Sequence, residues 1–154
     1  MVRWETLNAD EQRVIGGAKL PTFESRPWVT GPPLSKRRVA IISTAGLHRR
    51  DNRPFTRQPG DYYRIIPGNI EANDLLMSHV SLGFDRTGFQ QDWNVAFPID
   101  RLRELANEGV IGSVASFHYS FMGADDPLNW EQQARQLAAI MKNEHIDAVL
   151  LVPV

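Results

Sequence analysis

Apolar residues fall along the chain in short runs separated by polar, glycine- and proline-rich stretches, and the spacing inside each run predicts its element. Residues 38–44 (Arg-Val-Ala-Ile-Ile-Ser-Thr) form the first β-rich run, closed by the turn around Gly46. Residues 62–66 predict a short strand stopped by Pro67-Gly68; residues 75–81 and 110–116 predict two more. The final run, residues 146–154, is apolar almost throughout, and Val149 to Val154 are expected to lie on an interior strand with largely buried side chains. Helical spacing occurs twice in this half. Pro98 and Asp100 open a segment with Leu102, Leu105 and Ala106 on one face, ending before Gly109. Residues 129–143 set Ala134, Leu137, Ala138 and Met141 at three- and four-residue spacing.

Strands and helices thus alternate through the second half, which predicts βαβ units. The expected class is α/β: a Rossmann-like three-layer sandwich with a mainly parallel sheet over residues 38–154. Residues 1–37 form a partly irregular N-terminal arm. Asn8 is a candidate N-cap for a short helix to Ile15, with Asp10 and Glu11 in its first turn, and Pro21, Pro27, Pro32 and Pro33 interrupt the rest of the arm. Trp4, Phe23 and Trp28 give this arm apolar anchors, so docking over its own domain or a partner is expected rather than disorder.

A length of 154 residues suits one core. A formal charge of −1 supplies no overall basic field, which argues against nucleic acid or anionic lipid as partner. No apolar run approaches the ~20 residues of a membrane helix, and the N-terminus lacks a secretory pattern, so the expected location is cytoplasmic. The absence of cysteine excludes disulfides, thiolate metal sites and thiol catalysis within these residues.

His48, His79 and His118 fall at or just after predicted strand carboxyl ends, where an open α/β sheet places its ligands. Imidazole titrates near neutrality and serves as acid, base or ligand; Ser81, Asp85, Arg86 and Tyr119 are within loop reach. A metal triad is disfavoured, because intervals of 31 and 39 residues match no short ligand motif. The structural alternative, with His79 satisfying buried backbone and the others ending strands, carries comparable weight. The stretch from Gly83 to Gly88 is neither a P-loop nor a dinucleotide fingerprint, and Asp85-Arg86 reads as a local ion pair or as a carboxylate clamp. Arg49, Arg50, Arg53 and Arg57 form the one dense cationic patch, suited to an acidic partner, an anionic substrate or plain solvation.

Five blocks in fixed order carry a resemblance: Ser43-Thr44-Ala45-Gly46-Leu47-His48, Ser78-His79-Val80-Ser81, Gly83-Phe84-Asp85-Arg86-Thr87, Phe97-Pro98-Ile99-Asp100-Arg101-Leu102 and His118-Tyr119-Ser120-Phe121-Met122-Gly123. From about Arg38 to Val154 the chain resembles the glycine, sarcosine, betaine and D-proline reductase family, of the selenoprotein B or small D-proline reductase subunit type. The resemblance implies reductive cleavage of an α-carbon–nitrogen bond. It implies a selenocysteine, or a cysteine, just after a strand like residues 148–154, whose selenolate attacks the α-carbon and is regenerated through a selenide–sulfide bond. It further implies other reductase subunits, a thiol-disulfide reductant, a pyruvoyl group on a partner in some systems, a small amino-acid or amine substrate, and an oligomer. No catalytic residue or metal is then expected within the chain, and His48, His79, Asp85, Arg86, His118 and Tyr119 are the supporting or substrate-binding candidates. Two other readings stay open: a self-contained acid–base or metal enzyme using the histidines, and a non-catalytic interaction subunit.

Overall fold

The computed structural model describes residues 3–17, 22, 24, 28–56, 58, 60–81, 85–124 and 126–154. The chain opens with a turn over Trp4–Thr6 and helix α1 (Ala9–Gly16). Asn8 caps α1 through a full capping box: its side chain accepts from Glu11 N–H at 2.9 Å, and Glu11 accepts from Asn8 N–H at 2.8 Å. No residue of α1 is buried, and Trp4 and Trp28 are 48% and 81% exposed. The arm's described anchors therefore do not dock on the domain; Phe23 lies outside the described residues.

Strand β1 (Arg38–Ser43) is the spine of the fold. It pairs in parallel with β5 (Ser113–Val114) and β6 (Phe117–Phe121) along one edge and with β7 (Ala148–Val152) along the other. Strand β3 (Tyr63–Pro67) adds antiparallel to β6, so the sheet is mixed. A separate two-stranded ribbon joins β2 (Leu47–Arg49) to β4 (Leu75–Met77). Helices α2 (Thr87–Gln91), α3 (Ile99–Asn107) and α4 (Glu131–Asn143) complete the α/β fold.

Side chains alternate across a strand, and β1 uses both faces. Val39 and Ile41 pack with Phe97, Ile99 and Leu102 at α3, whereas Ile42 packs with Tyr119, Phe121 and Leu137 at α4. A fully buried aliphatic such as Ile41 contributes about 1.5–3 kcal/mol, so the α3 side holds most of the core.

Several expected elements shift. The strand expected over 75–81 stops at Met77, because Ser78 N–H bonds Gly46 O and its hydroxyl accepts from Phe55 N–H, and it lies in the ribbon rather than the main sheet. The strand expected over 110–116 shrinks to Ser113–Val114, since 110–112 are the turn leaving α3. Strand β6 is an addition to the expected elements: Tyr119 and Phe121 share one face while His118 points to Phe97 on the other. Thr87 and Gly88, expected in a loop, start α2; residues 82–84 of that loop lie outside the described residues. Helix α4 buries Leu137 and half-buries Met141, but Ala134 and Ala138 face solvent.

The largest departure is β7. It pairs with β1 as expected, from Val39↔Ala148 to Ser43↔Val152, yet nothing pairs with its other edge among the described residues. Val149, Leu150 and Leu151 are 37%, 38% and 67% exposed, not buried. Apolarity reports which faces a strand can bury; whether they are buried depends on a neighbour, which these residues do not supply.

Candidate functional site

The carboxyl ends of β1, β6 and β7 converge on residues 44–46. Thr44 N–H bonds Val152 O at 3.1 Å, and Val154 N–H donates to Thr44 Oγ1 at 2.8 Å. Gly123 N–H bonds Thr44 O, and a Cβ on Gly123 would sit 2.8 Å from that oxygen, so the β6 end approaches only as glycine. Gly46 has φ +66°, and its hypothetical Cβ would lie 2.5 Å from Met122 Cε and 3.2 Å from the His79 backbone. This left-handed turn lets the 78–81 segment close over the rim: Ser78 N–H bonds Gly46 O, and Val80 N–H lies 3.4 Å from Met122 Sδ.

His79 enters the rim in this way. It is buried, its Nδ1 accepts from Ser81 N–H at 3.3 Å, and Arg86 Nη2 donates to its carbonyl oxygen at 2.6 Å. Burial, and secondly the Arg86 charge, lower its pKa and favour neutral imidazole. Arg86 precedes α2, where Asp85 is exposed and accepts from Thr87 N–H at 2.9 Å. The Thr87 side chain and then its N–H hold the Asp85 carboxyl below its ordinary value. Asp85 is thus a turn-forming carboxylate with Thr87 as its partner.

The other histidines lie elsewhere. His118 is the second residue of β6, not the residue after a strand, and its Nδ1 accepts from Ile41 N–H at 2.9 Å in midsheet. That bond fixes the neutral tautomer with hydrogen on Nε2, an atom without a partner among the described residues. Burial, assisted by Arg103, pushes its pKa down to about 4. His48 lies within β2, buried, with Nδ1 2.8 Å from Arg49 O as donor. Tyr119 faces α4; burial first, then Glu144 and Tyr63, raise its phenol pKa. Of the six candidates, direct contacts bring only His79 and Arg86 together at the rim. Among the described residues no group of three or more His, Asp or Glu side chains is placed to hold a metal.

The arginine patch is partly neutralised, with carboxylate partners for Arg49 and Arg53 and an uncharged carbonyl for Arg50. Arg49 pairs with Asp51, Arg50 donates to Asn73 O at 3.0 Å, and Arg53 reaches Asp61 at 3.2 Å; Arg57 lies outside the described residues. An open cleft of about 560 Å³ is lined there by Arg49, Arg50 and Asp51 together with Asn69, Glu71 and Asp74, a mixed-charge lining rather than an anion trap. Thr44 and Gly123 are the functional candidates that residue chemistry overlooked. Both lie within the blocks that carry the family resemblance, and a hydroxyl next to a strand end was the available signal for Thr44.

Fold and rim define a mixed α/β domain in which Thr44, His79 and Arg86 lie at or beside the carboxyl ends of parallel strands. The chain belongs to the glycine/sarcosine/betaine reductase selenoprotein B family, whose model matches residues 19–154. It is 36% identical over 115 residues to D-proline reductase subunit gamma of Acetoanaerobium sticklandii, covering 73% of this chain and 47% of that one. It is 29% identical over 141 residues to glycine reductase complex component B subunit gamma of Symbiobacterium thermophilum, covering 86% and 32% respectively. Betaine reductase complex component B subunit beta of Peptoclostridium acidaminophilum is 28% identical over 123 residues, covering 77% and 28%. The chain therefore spans about half the length of the first relative and about a third of the others. No solved structure matches. No helix among the described residues is long and apolar enough to cross a membrane.

Proposed function

We propose that this chain is the scaffold and substrate-side part of a selenol- or thiol-dependent reductase that cleaves the carbon–nitrogen bond of glycine, sarcosine, betaine or D-proline. The observation that carries the reading is the Thr44 clamp. It fixes Val154 beside the Gly46 turn, and that turn contacts His79, whose carbonyl oxygen is held by Arg86. A selenocysteine or cysteine just beyond Val154 would emerge at this rim. A chalcogenolate there supplies the nucleophile that displaces the amine, and the Arg86 charge suits an ionised chalcogen or a substrate carboxylate. His79, held neutral, suits a proton acceptor, taking up the proton of the incoming chalcogenol or of a substrate ammonium group. Such a site, completed by further polypeptide, fits a Rossmann-like three-layer domain with α3 and α4 on opposite faces of β1. Other reductase subunits, a dithiol reductant and a pyruvoyl-bearing partner complete the assembly.

The chain has no cysteine. Alone, with any dithiol, it is expected to release no amine from the four substrates. With the redox residue and any pyruvoyl subunit supplied, release should become substrate-dependent. A rate from the 154-residue chain alone equal to that of the assembly would overturn the proposal and favour acid–base chemistry by the histidines.

A further inference from the structure

Strand β7 breaks the usual rules for a sheet edge. Natural edges are blunted by charge, proline or a bulge, because unpaired backbone groups invite association. Residues 148–152 are Ala-Val-Leu-Leu-Val, without a charge, and their five-residue register against β1 is unbroken. Alternation puts Leu150 on the face shared with Ala148 and Val152, which touch the α3 core, and Val149 and Leu151 on the α4 face. Both faces are exposed, to 38% at Leu150 and 67% at Leu151. On α4, Ala134 and Ala138 are exposed and Ile140 is 37% exposed. A parallel strand that is apolar on both faces belongs inside a sheet covered on both sides.

We infer that β7 is an internal strand of a larger sheet, and that its free edge receives a parallel strand from the reductase polypeptide corresponding to the part of the relatives this chain does not match. The inference rests on the proposed reductase function and names the surface that function uses for assembly. The occupant follows from two facts. The matched regions cover only 47% and 32% of the first two relatives, so those proteins carry more than enough additional chain for strands with their own covering helices. A second copy offering its own β7 would satisfy the backbone edge but would bring another strand whose two faces are equally uncovered.

The test co-produces the 154-residue chain with the polypeptide of its own genome that aligns to the unmatched part of D-proline reductase subunit gamma. Hydrogen exchange at the amides of 148–152 should slow by about 100-fold or more relative to the chain alone. Leu151→Lys should abolish that protection, whereas Val14→Lys, on exposed α1, should not; circular dichroism melting of the isolated Leu151→Lys chain should match the parent and exclude misfolding. Equal exchange in both samples would overturn the inference. So would a homodimer whose β7 protection disappears on dilution, or a genome encoding no such polypeptide. An assembly that releases amine while β7 stays open rejects this inference alone; a protected β7 without amine release in the complete system rejects the functional reading alone.

Discussion

Thr44 and Val154, 110 positions apart, hold each other by two hydrogen bonds. Val154 N–H donates to Thr44 Oγ1 at 2.8 Å, and Oγ1 donates to Val154 O at 3.3 Å. One hydroxyl therefore orders the end of β7 against the end of β1, where parallel sheets place their ligands. Thr44→Val keeps the β-branched shape and removes both bonds, each contributing about 0.5–1.5 kcal/mol. Exchange at the Val154 amide should accelerate while the amides of β1 change little. In the proposed reductase assembly, losing a Thr44 that only positions the strand end should lower kcat more than it raises KM.

The α/β class, β1, the capped first helix, α3 and α4 were legible because each rests on local signals: an apolar run, Asn8 three residues before Glu11, Pro98 before Asp100, and a helical spacing of apolar residues. The mixed sheet was not legible. Residues 62–66 read as a strand, but nothing local says that they run antiparallel to β6, and β6 itself hides in a stretch whose aromatic residues fit core filling equally well. The histidines show the same limit. Proximity to strand ends drew attention to all three, and only His79 meets the rim, since the chain folds back at Gly46 to receive it. His118 is instead tied to Ile41, a contact spanning 77 positions that no local pattern encodes.

His118 should make stability depend on pH. Its folded pKa of about 4 lies below the ordinary 6.5, so the unfolded chain binds more protons between these values. The contribution is complete above about pH 6.5, is lost progressively as pH falls towards 4, and is constant below that. Its full size is roughly 3 kcal/mol. His79 is shifted in the same direction and adds to the slope, whereas lowered carboxylates such as Asp61 and Asp100 act at or below their ordinary 3.8. His118→Asn, which can still accept from Ile41 N–H, should flatten most of the slope in denaturant titrations between pH 4 and 6.5.

Asp61 anchors the loop between β2 and β3. It is buried, bonded to Arg64 at 2.6 Å and to Thr56 N–H at 2.7 Å, with Arg53 at 3.2 Å. Burial raises its pKa, but the hydrogen bonds from Arg64 and Thr56 and the Arg64 charge outweigh this and hold it below 3.8. Asp61→Asn leaves Arg64, whose side chain is 10% exposed, without its counter-charge. The expected loss is about 3 kcal/mol, seen as a lower denaturation midpoint and faster proteolysis within residues 50–62.

Arg86 acts on His79 in two ways, through its charge and through the 2.6 Å bond to the His79 carbonyl. Arg86→Ala removes both. The imidazole pKa should then rise towards 6.5 without reaching it, because burial, the larger cause, persists. NMR titration of the His79 ring should show this rise in the isolated chain, where no substrate intervenes. Arg86→Lys separates the two effects: a compact ammonium keeps the charge but lacks the planar fork, so the pKa should stay near the parent value while the 79–81 backbone loosens. In the assembly, Arg86→Ala should shift the acid limb of the kcat profile upward in pH with the imidazole, and Arg86→Lys should leave that limb in place. An unchanged His79 titration in Arg86→Ala would remove Arg86 from the electrostatics of the rim and leave it a loop anchor.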